Sequence, residues 1–116
     1  MTQETRVTAF VIDRATWLRG EGYQSSALLR SSDGKRCGVG IYLRACGVPD
    51  KRLKNVDEAE SVAGLPKQAD WLITAKRNSD LAMKLYGEND GTAKESAIAT
   101  LFAEMGITVT FTGKPR

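Results

Sequence analysis

Polar and apolar residues alternate most regularly near one end of the chain, where Ile107, Val109 and Phe111 are interleaved with Thr108, Thr110 and Thr112. A period of two places the two sets on opposite faces, so the segment predicts a strand with one covered and one wetter face. Toward the other end, Arg6-Val7-Thr8-Ala9-Phe10-Val11-Ile12 is rich in apolar and β-branched residues on both faces. That pattern predicts a well-buried inner strand. The chain offers few other long strands, so these two are expected to pair in one small sheet.

Helical spacing fills the interval between them. Ile98, Leu101, Phe102 and Met105 recur three and four residues apart behind Thr92-Ala93-Lys94-Glu95, which matches a capping box, and Gly106 is placed to stop the helix. Val39, Tyr42, Leu43 and Cys46 mark a second helix, with Gly47 and Pro49 as its stop. Asp13 is expected to cap a short helix over 14–19, anchored by Trp17 and Leu18 and ended by Gly20-Glu21-Gly22, with a polar loop after it. Leu28-Leu29-Arg30 leads into Asp33-Gly34, which predicts a tight turn, in a small hairpin or a strand-to-helix turn, and Asp50 to Lys54 predicts a connecting turn. Further short helices are predicted over 57–63, behind Pro66, and from Asn78-Ser79 through Leu81 and Leu85, the last broken by Gly87-Glu88-Asn89-Asp90-Gly91. The whole pattern is that of a single α+β domain over 1–116, a small sheet of N- and C-terminal strands packed with several short helices.

Composition narrows the function classes. The longest strongly apolar stretch, Val7 to Ile12, is far short of the roughly 20 residues of a membrane-spanning helix, and the first six residues lack the pattern of a secretory signal. No membrane association and a cytoplasmic location are therefore expected. The chain has two cysteines and no histidine, so the usual donors of a zinc site are missing, and neither metal nor cofactor is expected. Charge is lopsided: residues 1–54 carry ten Lys/Arg against five Asp/Glu, and residues 55–116 seven against nine. One face is thereby made attractive to phosphate, an acidic protein or a nucleic acid.

Candidate chemistry is sparse. Gly38-Val39-Gly40 lacks the third glycine of a dinucleotide loop and the Gly-Lys-Ser/Thr of a triphosphate loop, so it reads as a packing or helix-entry feature. Cys37 and Cys46 read as core thiols, although Lys35, Arg36 and Arg44 beside Cys37 would lower its pKa if it were accessible. Residues 88–91 have some ingredients of a calcium loop without its ligand spacing, and read as a turn. Trp17 and Trp71 each lie beside leucine and read as core anchors. The candidate binding surface is the set Arg30, Lys35, Arg36, Arg44, Lys51, Arg52 and Lys54, seven cations within 25 positions opposed by Asp33 and Asp50 alone. Tyr42 is the one nearby ring, which gives little support to base stacking.

Two stretches read together carry a resemblance: Phe10 to Arg14 with Trp17-Leu18-Arg19-Gly20, Leu28-Leu29, Asp33-Gly34-Lys35, Cys37, Gly40 and Ala45-Cys46-Gly47-Val48, then Leu81, Leu85, Asn89-Asp90, Glu95, Ile98, Phe102 and Gly106-Ile107-Thr108-Val109. They resemble a family of small uncharacterised bacterial and phage-type hypothetical proteins over most of the chain. Where that family often has a second cysteine directly after the first, this chain has Gly38. The resemblance implies a phage or prophage setting and supplies no catalytic residue.

The expectation from sequence is a non-enzymatic macromolecule-binding protein that occupies the surface of a host protein or ribonucleoprotein complex, such as an inhibitor of a host defence complex. The alternatives are a nucleic-acid-binding module that uses the same basic surface, and a small enzyme working through carboxylates or Cys37.

Overall fold

A computed structural model gives the fold and describes residues 6–18, 27–56, 59–73, 79–91 and 94–114. Strand β1 (Ala9–Asp13) pairs in parallel with β2 (Thr108–Thr112), Ala9 opposite Thr108 and Asp13 opposite Thr112. Flanking bonds extend the pairing, from the Thr108 amide to the Thr8 carbonyl (2.8 Å) and from the Arg14 amide to the Thr112 carbonyl (2.9 Å). Parallel strands need a long crossover, and here it contains all the described helices.

Among the described residues the sheet has two strands, and this corrects the reading of β1 as an inner strand buried on both faces. Phe10 and Ile12 point into the core, whereas Ala9 and Asp13 are exposed and Val11 is 52% exposed. In β2 the alternation holds as predicted, with Val109 and Phe111 half-buried and the three threonines exposed. Phe10 meets Phe102 edge-on at 4.9 Å between ring centroids, and Tyr42 and Trp71 complete a four-ring cluster. Burial holds the Tyr42 hydroxyl well above its usual pKa. It donates to the Gln68 carbonyl (3.3 Å) and accepts from Trp71 Nε1 (3.2 Å).

Asp13 does act as a cap, accepting the Ala15 amide on Oδ1 at 3.0 Å, but it opens a single turn over 14–16 in place of the predicted helix. Trp17 instead enters a second backbone layer. Residues 16–18 bond to 36, residue 30 bonds to 35 and 37 to 27, and residues 28–29 bond to 55–56, so four irregular segments lie side by side. No segment in this layer is long or alternating enough to announce itself as a strand. Arg19 to Ser26, with the predicted helix stop and loop, lie outside the described residues.

Helix α1 (Gly38–Ala45) starts at Cys37, whose Sγ accepts the Gly40 amide at 3.4 Å. Its entry is tight: a Cβ on Gly40 would stand 2.0 Å from the Leu28 carbonyl oxygen. Glycine is therefore a steric requirement here. Helix α2 (Asp50–Leu53) replaces the predicted connecting turn, and two 3₁₀ segments come after it, Ala59–Ser61 and Lys67–Leu72, the second behind Pro66 as expected. Asp57 and Glu58, the start of the predicted helix over 57–63, lie outside the described residues.

Helix α3 (Ser79–Asp90) runs through the stretch read as its break. The reason is Asn89, 2% exposed, which the last turn of the helix carries into the core. Its Oδ1 accepts Trp17 Nε1 (2.8 Å) and the Gly38 amide (3.0 Å), and its Nδ2 donates to the Leu18 carbonyl (3.0 Å). Helix α4 (Glu95–Ala103) is capped differently from the predicted box. Lys94 is its N-cap without a side-chain bond, Thr92 lies outside the described residues, and Glu88 reaches across from α3 to accept the Lys94 amide at 2.9 Å. Gly106, just past α4, has φ +74°, a left-handed turn that suits glycine.

Two glycines should respond to alanine with opposite signs. Gly40→Ala is expected to destabilise by about 3 kcal/mol or more, because the new methyl meets backbone. Gly87→Ala, in mid-helix with open space around its Cβ, is expected to stabilise by roughly 0.5–1 kcal/mol. Urea denaturation of both variants checks this; equal effects would mean the Gly40 approach is not tight. Asn89→Ala strands two donors and one acceptor in the core and is expected to cost about 2–4 kcal/mol in the same assay.

Candidate functional site

The seven cations marked out by the sequence sit on the second backbone layer and the two helices attached to it. Arg30, Lys35 and Arg36 lie on adjacent segments of the layer, joined by the bond from the Arg30 amide to the Lys35 carbonyl (2.8 Å). Lys54 directly succeeds α2 and is bridged to Leu29. Lys51 and Arg52 are on α2, and Arg44 is in the last turn of α1. Contiguity arises because hydrogen bonds between segments, rather than closeness in sequence, stack residues 28–30, 35–37 and 54–56 side by side.

Their surroundings divide them into two groups. Arg30 grips Asp33 with two bonds, Nε to Oδ1 at 3.1 Å and Nη2 to Oδ2 at 2.6 Å. Arg36 Nη1 donates to Asp50 Oδ1 at 2.9 Å, and Arg44 Nε stands 3.3 Å from the same oxygen. One carboxylate thus serves two arginines. Lys35, Lys51, Arg52 and Lys54 make no ion pair or side-chain hydrogen bond among the described residues, and all but the half-buried Lys35 are exposed. Arg52 lies along the chain at Gly64, where a Cβ would meet its Nη1 at 3.0 Å.

The arginines also set the acidity of their partners. Asp33 is pushed down to about 2, first by the Arg30 side chain and then by the Lys35 amide, which donates to it at 3.1 Å. Arg36, and Arg44 more weakly, hold Asp50 below the usual carboxylate range. Both acids are ionised at neutral pH, so the layer carries seven positive charges against two negative.

The other candidates resolve into structural roles. The Gly38 amide is occupied by Asn89 and that of Gly40 by Cys37, and residues 38–40 are buried, so these glycines form a packed helix entry. Cys37 is 2% exposed and Cys46 half-buried, both as thiols. Trp17 and Trp71 are core anchors whose ring nitrogens find partners. Residues 88–90 are helical, in place of the expected turn. Among the described residues no three His, Cys, Asp or Glu side chains converge as a metal site would need, and no helix is long and apolar enough to cross a membrane. Sequence reasoning missed the double use of Asp50; its one signal was that Asp33 and Asp50 are the lone acids within the basic stretch.

Asp33 provides a test of the clamp. Its native pKa lies below the unfolded value of 3.8, so its contribution to stability is complete above pH 3.8 and is lost as pH falls through about 2. A carboxyl-carbon NMR titration should place the Asp33 midpoint near 2, and Arg30→Gln should move it up toward 3.8. A midpoint already near 3.8 in the unaltered protein would mean that the pair does not form in solution.

Comparison with protein-family models, with curated proteins and with solved structures finds no match to this chain.

Proposed function

We propose that this is a non-enzymatic binding protein that uses the basic layer to occupy an acidic surface of another macromolecule. The observation that carries the reading is the group Lys35, Lys51, Arg52 and Lys54, four cations with no ion pair or side-chain hydrogen bond among the described residues, on segments joined by backbone bonds. Unpaired surface charge of one sign speeds encounter with a complementary partner and favours it over like-charged competitors. The core is consistent with the same reading, since its polar groups are tied into internal bonds: Asn89 to Trp17, Gly38 and Leu18, and the Tyr42 hydroxyl to Gln68 and Trp71. In the phage or prophage setting implied by the resemblance, the partner is a host protein or ribonucleoprotein complex.

The test is charge reversal on exposed positions that pack against nothing in the core. Lys51→Glu with Lys54→Glu should leave the thermal midpoint within a degree or two and weaken partner binding by about tenfold or more. Proteins captured from host extract by the unaltered chain should be missing from the double variant. Identical capture by both would refute the reading, as would detectable turnover of a small substrate with no specific partner. Tight binding to duplex DNA that falls steeply with salt would favour the nucleic-acid alternative instead.

A further inference from the structure

The basic layer contains its own competitors. Asp33 and Asp50 occupy Arg30, Arg36 and Arg44, so three of the seven cations are already paired. The acids reach the surface, with the side chains of Asp50 51% and Asp33 34% exposed; that of Arg44 is 54% exposed, and those of Arg30 and Arg36 are 24% and 20% exposed. Ion pairs this open to water hold weakly and exchange partners readily. A carboxylate arriving from outside could take an arginine in the same fork geometry that Asp33 now shows, one Arg–carboxylate pair replacing another.

Resting on the reading of this layer as the binding surface, we infer that Asp33 and Asp50 act as built-in counter-ions that set how strongly it binds an acidic protein face. Lys35, Lys51, Arg52 and Lys54 make the first contact. Arg30, Arg36 and Arg44 rest on Asp33 and Asp50 and transfer only to a partner whose carboxylates displace the internal ones. A partner that offers diffuse negative charge engages four cations, and one with carboxylates at the right positions engages seven, so the clamps convert a general attraction into selectivity. An acidic protein suits this exchange better than a single-stranded nucleic acid. Among the described residues, Trp17 in the layer and Tyr42 on α1 are 0% and 1% exposed and offer no face for an unpaired base to stack on.

Removing one clamp charge and removing a charge elsewhere change the net charge equally, which isolates the clamp. Binding of fluorescein-labelled poly-L-glutamate and of a mixed-sequence DNA duplex would be followed by anisotropy for the unaltered protein, Asp50→Asn, Asp33→Asn and the control Glu104→Gln, an exposed residue just past α4. Asp50→Asn is expected to tighten poly-L-glutamate binding about threefold more than the control, and Asp33→Asn by a smaller margin, since Asp50 serves two arginines and Asp33 one. Gains no larger than the control's overturn the clamp and leave the binding surface standing. Failure of every protein to bind either probe at low salt overturns both. A clamp effect on the duplex that exceeds that on poly-L-glutamate overturns the choice of partner class. Should Asp50→Asn lower the thermal midpoint, Asp33→Asn, in an exposed turn, decides the question alone.

Discussion

The carboxamide of Asn89 joins three parts of the molecule that share no strand or helix. It sits at the end of α3, takes the indole N–H of Trp17 and the first amide of α1, and gives its own N–H to the carbonyl of Leu18. A buried amide left without partners costs several kcal/mol, whereas one with its bonds made is close to neutral and fixes geometry tightly. The position of α1 against the 16–18 segment depends on this group. So does the layer whose edge carries the basic residues, because Trp17 is held by Asn89 on one side and its segment pairs with Arg36 on the other.

A second constraint works at the outer end of β1. Arg14 makes two bonds of 2.8 Å to Glu95 at the start of α4, donates to the Gly113 carbonyl at 2.8 Å, and stacks over Phe111. One guanidinium therefore ties β1, β2 and α4 together. Four aromatic rings fill the space beneath them, so the sheet needs only two strands to close one side of the core.

What sequence could reveal depended on whether the cause was local. Helix α4, its glycine stop and the threonine alternation of β2 were legible because periodicity reports burial directly. The capping box misled, since Thr92 to Glu95 fits a local rule while the amide of Lys94 is satisfied by Glu88 from another helix. The stretch from Gly87 to Gly91 reads as a breaker because its composition is that of a turn, and only the distant partners of Asn89 account for its helical state. In the layer formed by 16–18, 27–30, 35–37 and 54–56 the turn between Arg30 and Lys35 was legible from Asp33-Gly34, and the cations as a cluster, but the pairing of 16–18 with 36 and of 28–29 with 55–56 lay beyond sequence. That Asp50 serves Arg36 and Arg44 is likewise a product of folding.

The pairing of β1 with β2 also bears on how the protein is made. Ala9 and Thr108 are partners 99 positions apart, and the parallel orientation gives β1 no nearer strand among the described residues to rest against. At ordinary rates of synthesis β1 leaves the ribosome roughly 5–20 s before its partner exists. During that time Phe10, Val11 and Ile12 are an unpaired apolar segment, open to chaperones or to the same segment of a neighbouring nascent chain. The folding of this domain thus waits on β2, which on emerging closes over a core that has had no partner for β1 until then.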